Sequence, residues 1–414
     1  VVTPDAVSPH AAVQRRILAV LSVTQVLAGV GMATALAVST LVAARLSGSE
    51  LIGGAALTCV VLGAAGAALV VARVATRRGR RPALGLGYGV GALGAAMAAL
   101  GVGAGSSTVM LVGLLLAGAA TAAGLAARFA ATDLAEPDRR ARALALVVWS
   151  TTVGAIAGPN LAGPVQTLAG AVGLVPATGP FWMCAVAFGL AAAGTWWGLR
   201  PDPLLLARGT AEGPSGGRVD ARAALLSSPA ALLGAGGVVL GHLVMIALMS
   251  MAPVHLDHGG ASLSVVGLVI SAHVAGMYAF SPVFGWLADR LGRTRVLVLA
   301  AGLLLAAAGV CAAAGPEQAD LVGLGLVLLG LGWSASLVAG SALVTDSVPL
   351  AVRPAAQGLV DVAMNASGAV GGILGGLVVA GASFGVLGVA AAVVVAPYLL
   401  LSAGVAIRGP AVAH

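Results

Sequence analysis

Apolar runs of about twenty residues follow one another along nearly the whole chain, separated by short polar stretches. They lie at roughly 17–43, 51–74, 83–103, 107–129, 143–168, 178–199, 229–254, 263–287, 294–315, 319–345, 356–381 and 383–407. A helix needs about 20 apolar residues to cross the hydrocarbon of a bilayer. The pattern therefore predicts an all-α membrane protein with twelve transmembrane helices. The longest polar interruption is 200–228, with Pro201, Pro203, Gly209, Gly213, Pro214, Gly216 and Gly217. Its turn-forming composition predicts a linker, with a six-span half over 1–199 and a second over 229–414. The first run starts too late and extends too far for a cleaved signal peptide, and more spans follow it.

Composition supports this and removes other classes. Only 8% of the residues are charged, against about 25% in a soluble domain. The 61 glycines suit helices packed closely within a bilayer. Cys59, Cys184 and Cys311 stand apart inside apolar runs, so no disulfide framework is expected. The net charge of +7 comes from arginine alone, with no lysine. The arginines gather at 15–16, 73–81, 128–142, 200–222, 290–295, 353 and 408, and the intervening loops hold little beyond Arg45. Such alternation follows the positive-inside rule. It places both termini and the arginine-bearing loops in the cytoplasm and gives the charge no role toward nucleic acid. No nucleophile–base pairing or cofactor motif points to an enzyme.

An internal duplication is written into the chain. Gly79-Arg80 after span 2 recurs as Gly292-Arg293 after span 8, an offset of 213. Thr132-Asp133 at the end of span 4 recurs as Thr345-Asp346 at the end of span 10, with the same offset. Two independent landmarks in one register predict pseudo-symmetric halves in parallel orientation. The stretch Gly285-Trp-Leu-Ala-Asp289-Arg290-Leu-Gly292-Arg293-Thr-Arg295 resembles the signature loop of the major facilitator superfamily. The resemblance covers the whole chain and implies that fold. It also implies a gate or latch role for Gly285, Asp289, Arg290, Gly292 and Arg293. The first-half copy departs from the pattern, with Ala72 for the leading glycine and Thr76 for the aspartate. That departure puts the first-half latch in question. Asp133 and Asp346, near Arg142 and Arg353, read as symmetric gate or latch residues.

Candidate chemistry concentrates in one place. Between His242 and Met277 lie four of the nine methionines and four of the six histidines. Span 7 carries Met245 and Met249, span 8 carries His273 and Met277, and each pair is four apart and so on one helix face. Counted from the outer ends at 1.5 Å per residue, Met249 lies about 8 Å deep, Met245 about 14 Å, His273 about 15 Å and Met277 about 21 Å. Thioethers with an imidazole form a soft donor set that favours Cu(I) over hard cations. Histidine within a span marks function by default, whereas methionine pairs are usually packing filler. At the outer mouth, His255, Asp257 and His258 suggest a capture site, although loop histidines are commonly just solvated. His242, one turn before Met245, either supplements the site or hydrogen-bonds within the bundle.

Met-x-x-x-Met followed by His-x-x-x-Met, with Met245 and His273 separated by 28 residues, is similar to the CcoA-like branch of the superfamily. That resemblance implies copper import into the bacterial cytoplasm for cytochrome c oxidase assembly, with Met245, Met249, His273 and Met277 as the copper ligands. It places the chain in the bacterial cytoplasmic (inner) membrane, in contact with the lipid bilayer, copper and a cytoplasmic copper chaperone. Relatives lacking these pairs are thought to move riboflavin. No resident cofactor is expected, copper being the substrate.

Subtracting 213 from Met245 gives Met32, and from His273 gives Val60 beside Cys59. Met32 is accordingly a candidate to complete the copper shell, with Cys59 a weaker one. Gln357, Asp361 and Asn365 form a polar stripe on span 11, and Asp361 is the candidate for proton coupling or for a structural hydrogen bond. Gly154-Ala-Ile-Ala-Gly158-Pro159 resembles the glycine–proline motif of drug antiporters. With few polar groups noted in the first-half helices, it sustains the rival expectation of an organic-solute transporter. A membrane metal sensor is disfavoured by the lack of a soluble signalling domain.

Overall fold

The computed structural model describes residues 9–210 and 220–408. The helices are α1 (Pro9–Ser47), α2 (Glu50–Arg78), α3 (Arg80–Gly103), α4 (Ser107–Ala130), α5 (Arg140–Ala171), α6 (Gly179–Gly198), α7 (Pro203–Thr210) and α8 (Ala221–Leu226). They continue with α9 (Pro229–His258), α10 (Leu263–Tyr278), α11 (Ser281–Leu291), α12 (Arg293–Ala313), α13 (Ala319–Ser347), α14 (Arg353–Gly381) and α15 (Phe384–Arg408). Twelve stretches among the described residues are long and apolar enough to cross a membrane. Large apolar side chains such as Leu93, Leu268, Leu400 and Ile407 stay exposed, as lipid-facing positions require.

Two expectations change in detail. The eighth span is not one helix over 263–287: it breaks into α10 and α11 at Ala279–Phe280. Pro282 has no N–H to return to the carbonyl of Tyr278, and the Ser281 hydroxyl donates to that carbonyl instead, at 2.7 Å. The linker carries two short helices, α7 and α8, where a run of turns was expected. Gly213, Pro214, Gly216 and Gly217 lie outside the described residues, as do the terminal segments whose cytoplasmic placement the charge pattern predicts.

The duplication reappears in three dimensions. Gly79 and Gly292 both adopt positive φ, 92° and 97°, so each signature loop turns from one helix into the next through a single residue that only glycine accommodates easily. Arg80 and Arg293 then open α3 and α12, while Arg140 and Arg353, also 213 apart, open α5 and α14. In the first repeat α4 packs on α2 and α3, and α6 on α3; in the second α13 packs on α10 and α12, and α15 on α12. Small residues permit the close approach. A methyl at Gly113 would stand 2.4 Å from the backbone nitrogen of Ala98, and one at Gly154 would stand 2.5 Å from the carbonyl oxygen of Val26. The glycine–proline motif of α5 is thus a packing seam against α1.

Two compact units form, and they do not follow the repeat boundary. One holds Val1–Glu136, Leu146–Val219 and Leu350–Asp361; the other holds Pro137–Ala145, Asp220–Pro349 and Val362–His414, each over its described residues. The short exchanged segments go where their charges are held. Asp361 and Gln357 bind Arg128 and Arg80 in the first unit, and Arg140 and Arg142 bind Asp346 and Asp289 in the second.

Candidate functional site

His273 is the chemically unusual residue of the second unit. Its side chain is fully buried on α10, and Nδ1 stands 2.7 Å from the carbonyl oxygen of Leu326 on α13. A carbonyl only accepts, so Nδ1 carries the proton and Nε2 presents its lone pair. Nε2 is buried with no hydrogen-bond partner. Leaving such an acceptor unsatisfied costs about 1–3 kcal/mol, and buried groups of this kind call for an explanation. The arrangement matches a metal-ready histidine, whose distal N–H is held by a backbone carbonyl to fix tautomer and ring orientation.

The thioethers of the two pairs differ in burial. Met245 and Met277 are buried and Met249 is half-buried. Met277 lies one turn from His273 on the same face of α10. The helices α9 and α10 touch each other lightly, and each packs chiefly on α13. Met245 and Met249 on one helix and His273 and Met277 on the other thus both lie on helices that pack against α13. α9 loses a ladder hydrogen bond at Pro253, four residues after Met249, and α10 ends one residue past Met277, with Pro282 in the first turn of the helix that follows. Interrupted helices are where transporters of repeated architecture build substrate sites.

Glycine seats this turn on α13. A methyl at Gly330 would lie 2.5 Å from the carbonyl oxygen of His273 and 2.9 Å from the nitrogen of Met277. Backbone on both sides cannot yield, so Gly330→Ala is expected to push α10 outward and cost about 1–3 kcal/mol, as overpacking does. Thermal unfolding of the purified protein in detergent checks this; an unchanged midpoint would show that α10 is not clamped there.

The remaining histidines are held differently. Trp333 Nε1 donates to His242 Nδ1 at 3.0 Å. Indole is only a donor, so the proton of the neutral ring sits on Nε2 and neither nitrogen of His242 offers a lone pair in this arrangement. His255 Nε2 bonds to the carbonyl of Ala314 at 3.1 Å, and its ring stacks on Phe384 at 4.5 Å. Asp257 and His258 are exposed. Among the described residues no three His, Cys, Asp or Glu side chains gather as a metal site, so the mouth residues are not assembled into a capture cluster. In the first unit Thr121 donates to the Met32 sulfur at 3.6 Å, and Cys59 packs half-buried against the cluster of Val60, Val102, Met110 and Phe181.

Charged clusters mark the arginine-rich end of each unit. In the second, the Asp289 side chain is fully buried and accepts from the backbone of Ala141 at 3.1 Å and Arg142 at 2.9 Å, in the first turn of α5. An anion at a helix N-terminus satisfies orphan N–H groups and meets the positive end of the dipole. Arg293 bridges Asp289 and Asp346, each at 3.1 Å, and Arg293 also donates to the carbonyl of Pro137. Arg140 pairs with Asp346 at 2.6 Å. Gly285 lets α11 lie against Ala141 and Ala145 of this segment, while Arg290 stacks over Trp286 at 5.1 Å. In the first unit Arg80 pairs with Asp133 at 2.7 Å and donates to Gln357 at 2.7 Å. Arg80–Asp133 and Arg293–Asp346 are one bond repeated 213 residues apart. The sequence reads these aspartates with Arg142 and Arg353; in the structure Asp133 pairs with the signature-loop Arg80, and Asp346 with Arg293 and Arg140.

Asp361 pairs with Arg128 at 2.5 Å, both side chains being buried, and Arg128 lies over Phe129 at 4.4 Å. The first-half helices are also less bare than their composition suggested. Gln25 donates to Thr151 at 3.0 Å and accepts from Tyr88 at 3.4 Å, a buried polar chain that short apolar runs conceal.

The family model described as Major Facilitator Superfamily matches residues 21–260 and 234–410. The chain belongs to the major facilitator superfamily. It is a multi-pass membrane transporter. Among major facilitator relatives, the uncharacterized MFS-type transporter YdeG of Bacillus subtilis is 41% identical over 378 residues, covering 89% of this chain and 87% of its own length. The riboflavin transporter RfnT of Brucella anthropi is 31% identical over 350 residues, covering 84% and 85% respectively. In fold, the chain is similar to the fucose:proton symporter FucP of E. coli, with a TM-score of 0.71 at 14% identity over 94% of this chain and 98% of that one. A bacterial homologue of the iron transporter ferroportin, in an outward-facing state, gives 0.70 at 12% identity over 95% and 98%. These major facilitator structures support the twelve-helix architecture, and at such identity they speak of fold alone.

Proposed function

We propose that this major facilitator transporter carries copper, as Cu(I), into the bacterial cytoplasm across the inner membrane by alternating access. The observation that carries the reading is the buried His273, with Nδ1–H fixed on Leu326 and Nε2 left with its lone pair. A soft cation would satisfy that nitrogen, and Met277 on the same face, with Met245 and Met249 from α9, supplies thioethers of matching softness. No thiolate belongs to the set, so the ion is bound weakly enough to be passed on, with a cytoplasmic copper chaperone as the natural acceptor. His255 retains a lone pair on Nδ1 and serves as an entry ligand near the outer end of α9, and Asp361 is the group through which a proton gradient would act. The chain moves its substrate without converting it.

A second reading rests on the riboflavin transporter at 31% identity and on the polar chain of Gln25, Tyr88 and Thr151, which suits a polar organic solute. The two separate in one assay. Cells expressing the chain are loaded with copper or with riboflavin, and accumulation is measured by mass detection and by fluorescence. Copper accumulation that excess riboflavin does not inhibit supports the first reading. Riboflavin accumulation without copper uptake would replace it with the second.

A further inference from the structure

The two signature loops are held by opposite chemistry. In the second repeat Asp289 caps the first turn of α5 through the N–H groups of Ala141 and Arg142. Subtracting 213 puts Thr76 where that aspartate stands, and adding 213 to the capped residues gives Pro354 and Ala355 at the start of α14. Proline has no N–H, so an acid at 76 would find one of its two donors missing. The Thr76 hydroxyl turns back to the carbonyl of Ala72 in its own helix, at 2.8 Å. Arg208 on the linker helix α7 instead donates to the carbonyl of Thr76 at 2.9 Å and to the carbonyl of Ala351 at 3.1 Å. One guanidinium thus ties the last turns of α2 to the residues leading into α14.

The helix that delivers Arg208 is itself anchored. Asp202 accepts from the backbone of Arg81 at 2.7 Å, in the first turn of α3, and from Leu204 and Leu205 at 3.0 and 3.2 Å. Its carboxylate fills the space beside Gly79, where a methyl would come within 2.4 Å of it. Arg81 lies over the Trp196 ring at 4.5 Å. The segment from Trp196 to Arg208 therefore follows the first signature loop and fixes α7 across its end.

We propose that α7 is the latch of the first repeat, with Arg208 as the positioning residue that holds the start of α14 to the end of α2. Where the second repeat places an anion on amides, the first places a cation on carbonyls, and the planar fork of arginine can serve two carbonyls at once, which lysine does less well. The linker thus holds the residues leading into α14, whatever the substrate.

The test is hydrogen exchange by mass spectrometry on the full-length protein in detergent, comparing wild type, Arg208→Leu and the triple variant Arg208→Leu/Thr76→Asp/Pro354→Ala. The triple variant rebuilds the anionic form found in the second repeat. The proposal expects exchange over 348–358 to rise at least about tenfold in Arg208→Leu, corresponding to about 1.4 kcal/mol of lost local protection, while peptides of α13 stay unchanged. It expects the triple variant to recover most of the protection. Unchanged exchange over 348–358 in Arg208→Leu, a rise shared equally by α13, or a triple variant no better protected than Arg208→Leu would each overturn it.

Discussion

Copper uptake is expected to fall at least about tenfold when His273 is replaced by leucine, while the amount of folded transporter stays the same. On the proposed reading the factor follows from losing a copper ligand, since disturbing even the groups behind metal ligands costs about 10–100-fold in affinity. Stability behaves differently. The native ring gains one hydrogen bond to Leu326 and leaves Nε2 unsatisfied. A net hydrogen bond is worth about 0.5–1.5 kcal/mol and an orphaned buried acceptor costs about 1–3. Leucine removes both in a site that is already apolar, so the unfolding midpoint should hold or rise. Met245→Leu, nearly volume-conserving, is expected to weaken uptake with the same neutrality toward the fold. Uptake and thermal unfolding are measured on the same membranes. A His273→Leu protein that transports copper normally would return the histidine to packing. One that is lost from the membrane would show that the ring is structural.

The architecture was legible because its cause is one-dimensional. Spans are set by lengths of apolar sequence, and the repeat by two landmarks in a common register. The Gly79 and Gly292 loops could be recognised because Gly-Arg recurs at the same 213-residue offset, and the one-residue turn each makes needs positive φ. His273 stands out in the sequence because an imidazole within an apolar span is rare.

What the sequence concealed depends on which helix lies beside which. Nothing in the run around Arg128 says that it pairs with Asp361, 233 residues away. Reading Arg128 with the loop arginines placed it by charge, whereas the structure buries it. Trp333 is likewise one apolar residue among many until α13 brings its indole to His242. The Arg208 contact was hidden twice over, because the linker read as turns and its acceptors are backbone carbonyls, which no side-chain motif reports.

The Arg128–Asp361 pair carries the second large effect. Both side chains are almost fully enclosed, and the guanidinium also lies over the Phe129 ring and donates to the Leu125 carbonyl. Asp361→Asn keeps the shape but strands a buried cation, which costs about 3–5 kcal/mol against a total stability of about 5–15. The single variant is therefore expected to lose much of its yield and to melt well below wild type. Replacing both residues, as Arg128→Leu/Asp361→Leu, removes the stranded charge and should restore stability to within about 1 kcal/mol of wild type or better, because an apolar pair of similar volume commonly matches a buried ion pair. Transport then separates structure from coupling. If Asp361 carries the proton, the double variant equilibrates substrate down its gradient in proteoliposomes but no longer concentrates it when a proton gradient is imposed. Concentrative transport in that double variant would make the pair a fold element only, and a fully stable Asp361→Asn would mean that Arg128 does not depend on it. The internal repeat has no counterpart of this pair: Ser341 and Val148 stand 213 residues from Arg128 and Asp361. The Arg80–Asp133 and Arg293–Asp346 bonds obey the repeat while Arg128–Asp361 does not, so a proton carried by Asp361 would be carried in one repeat alone.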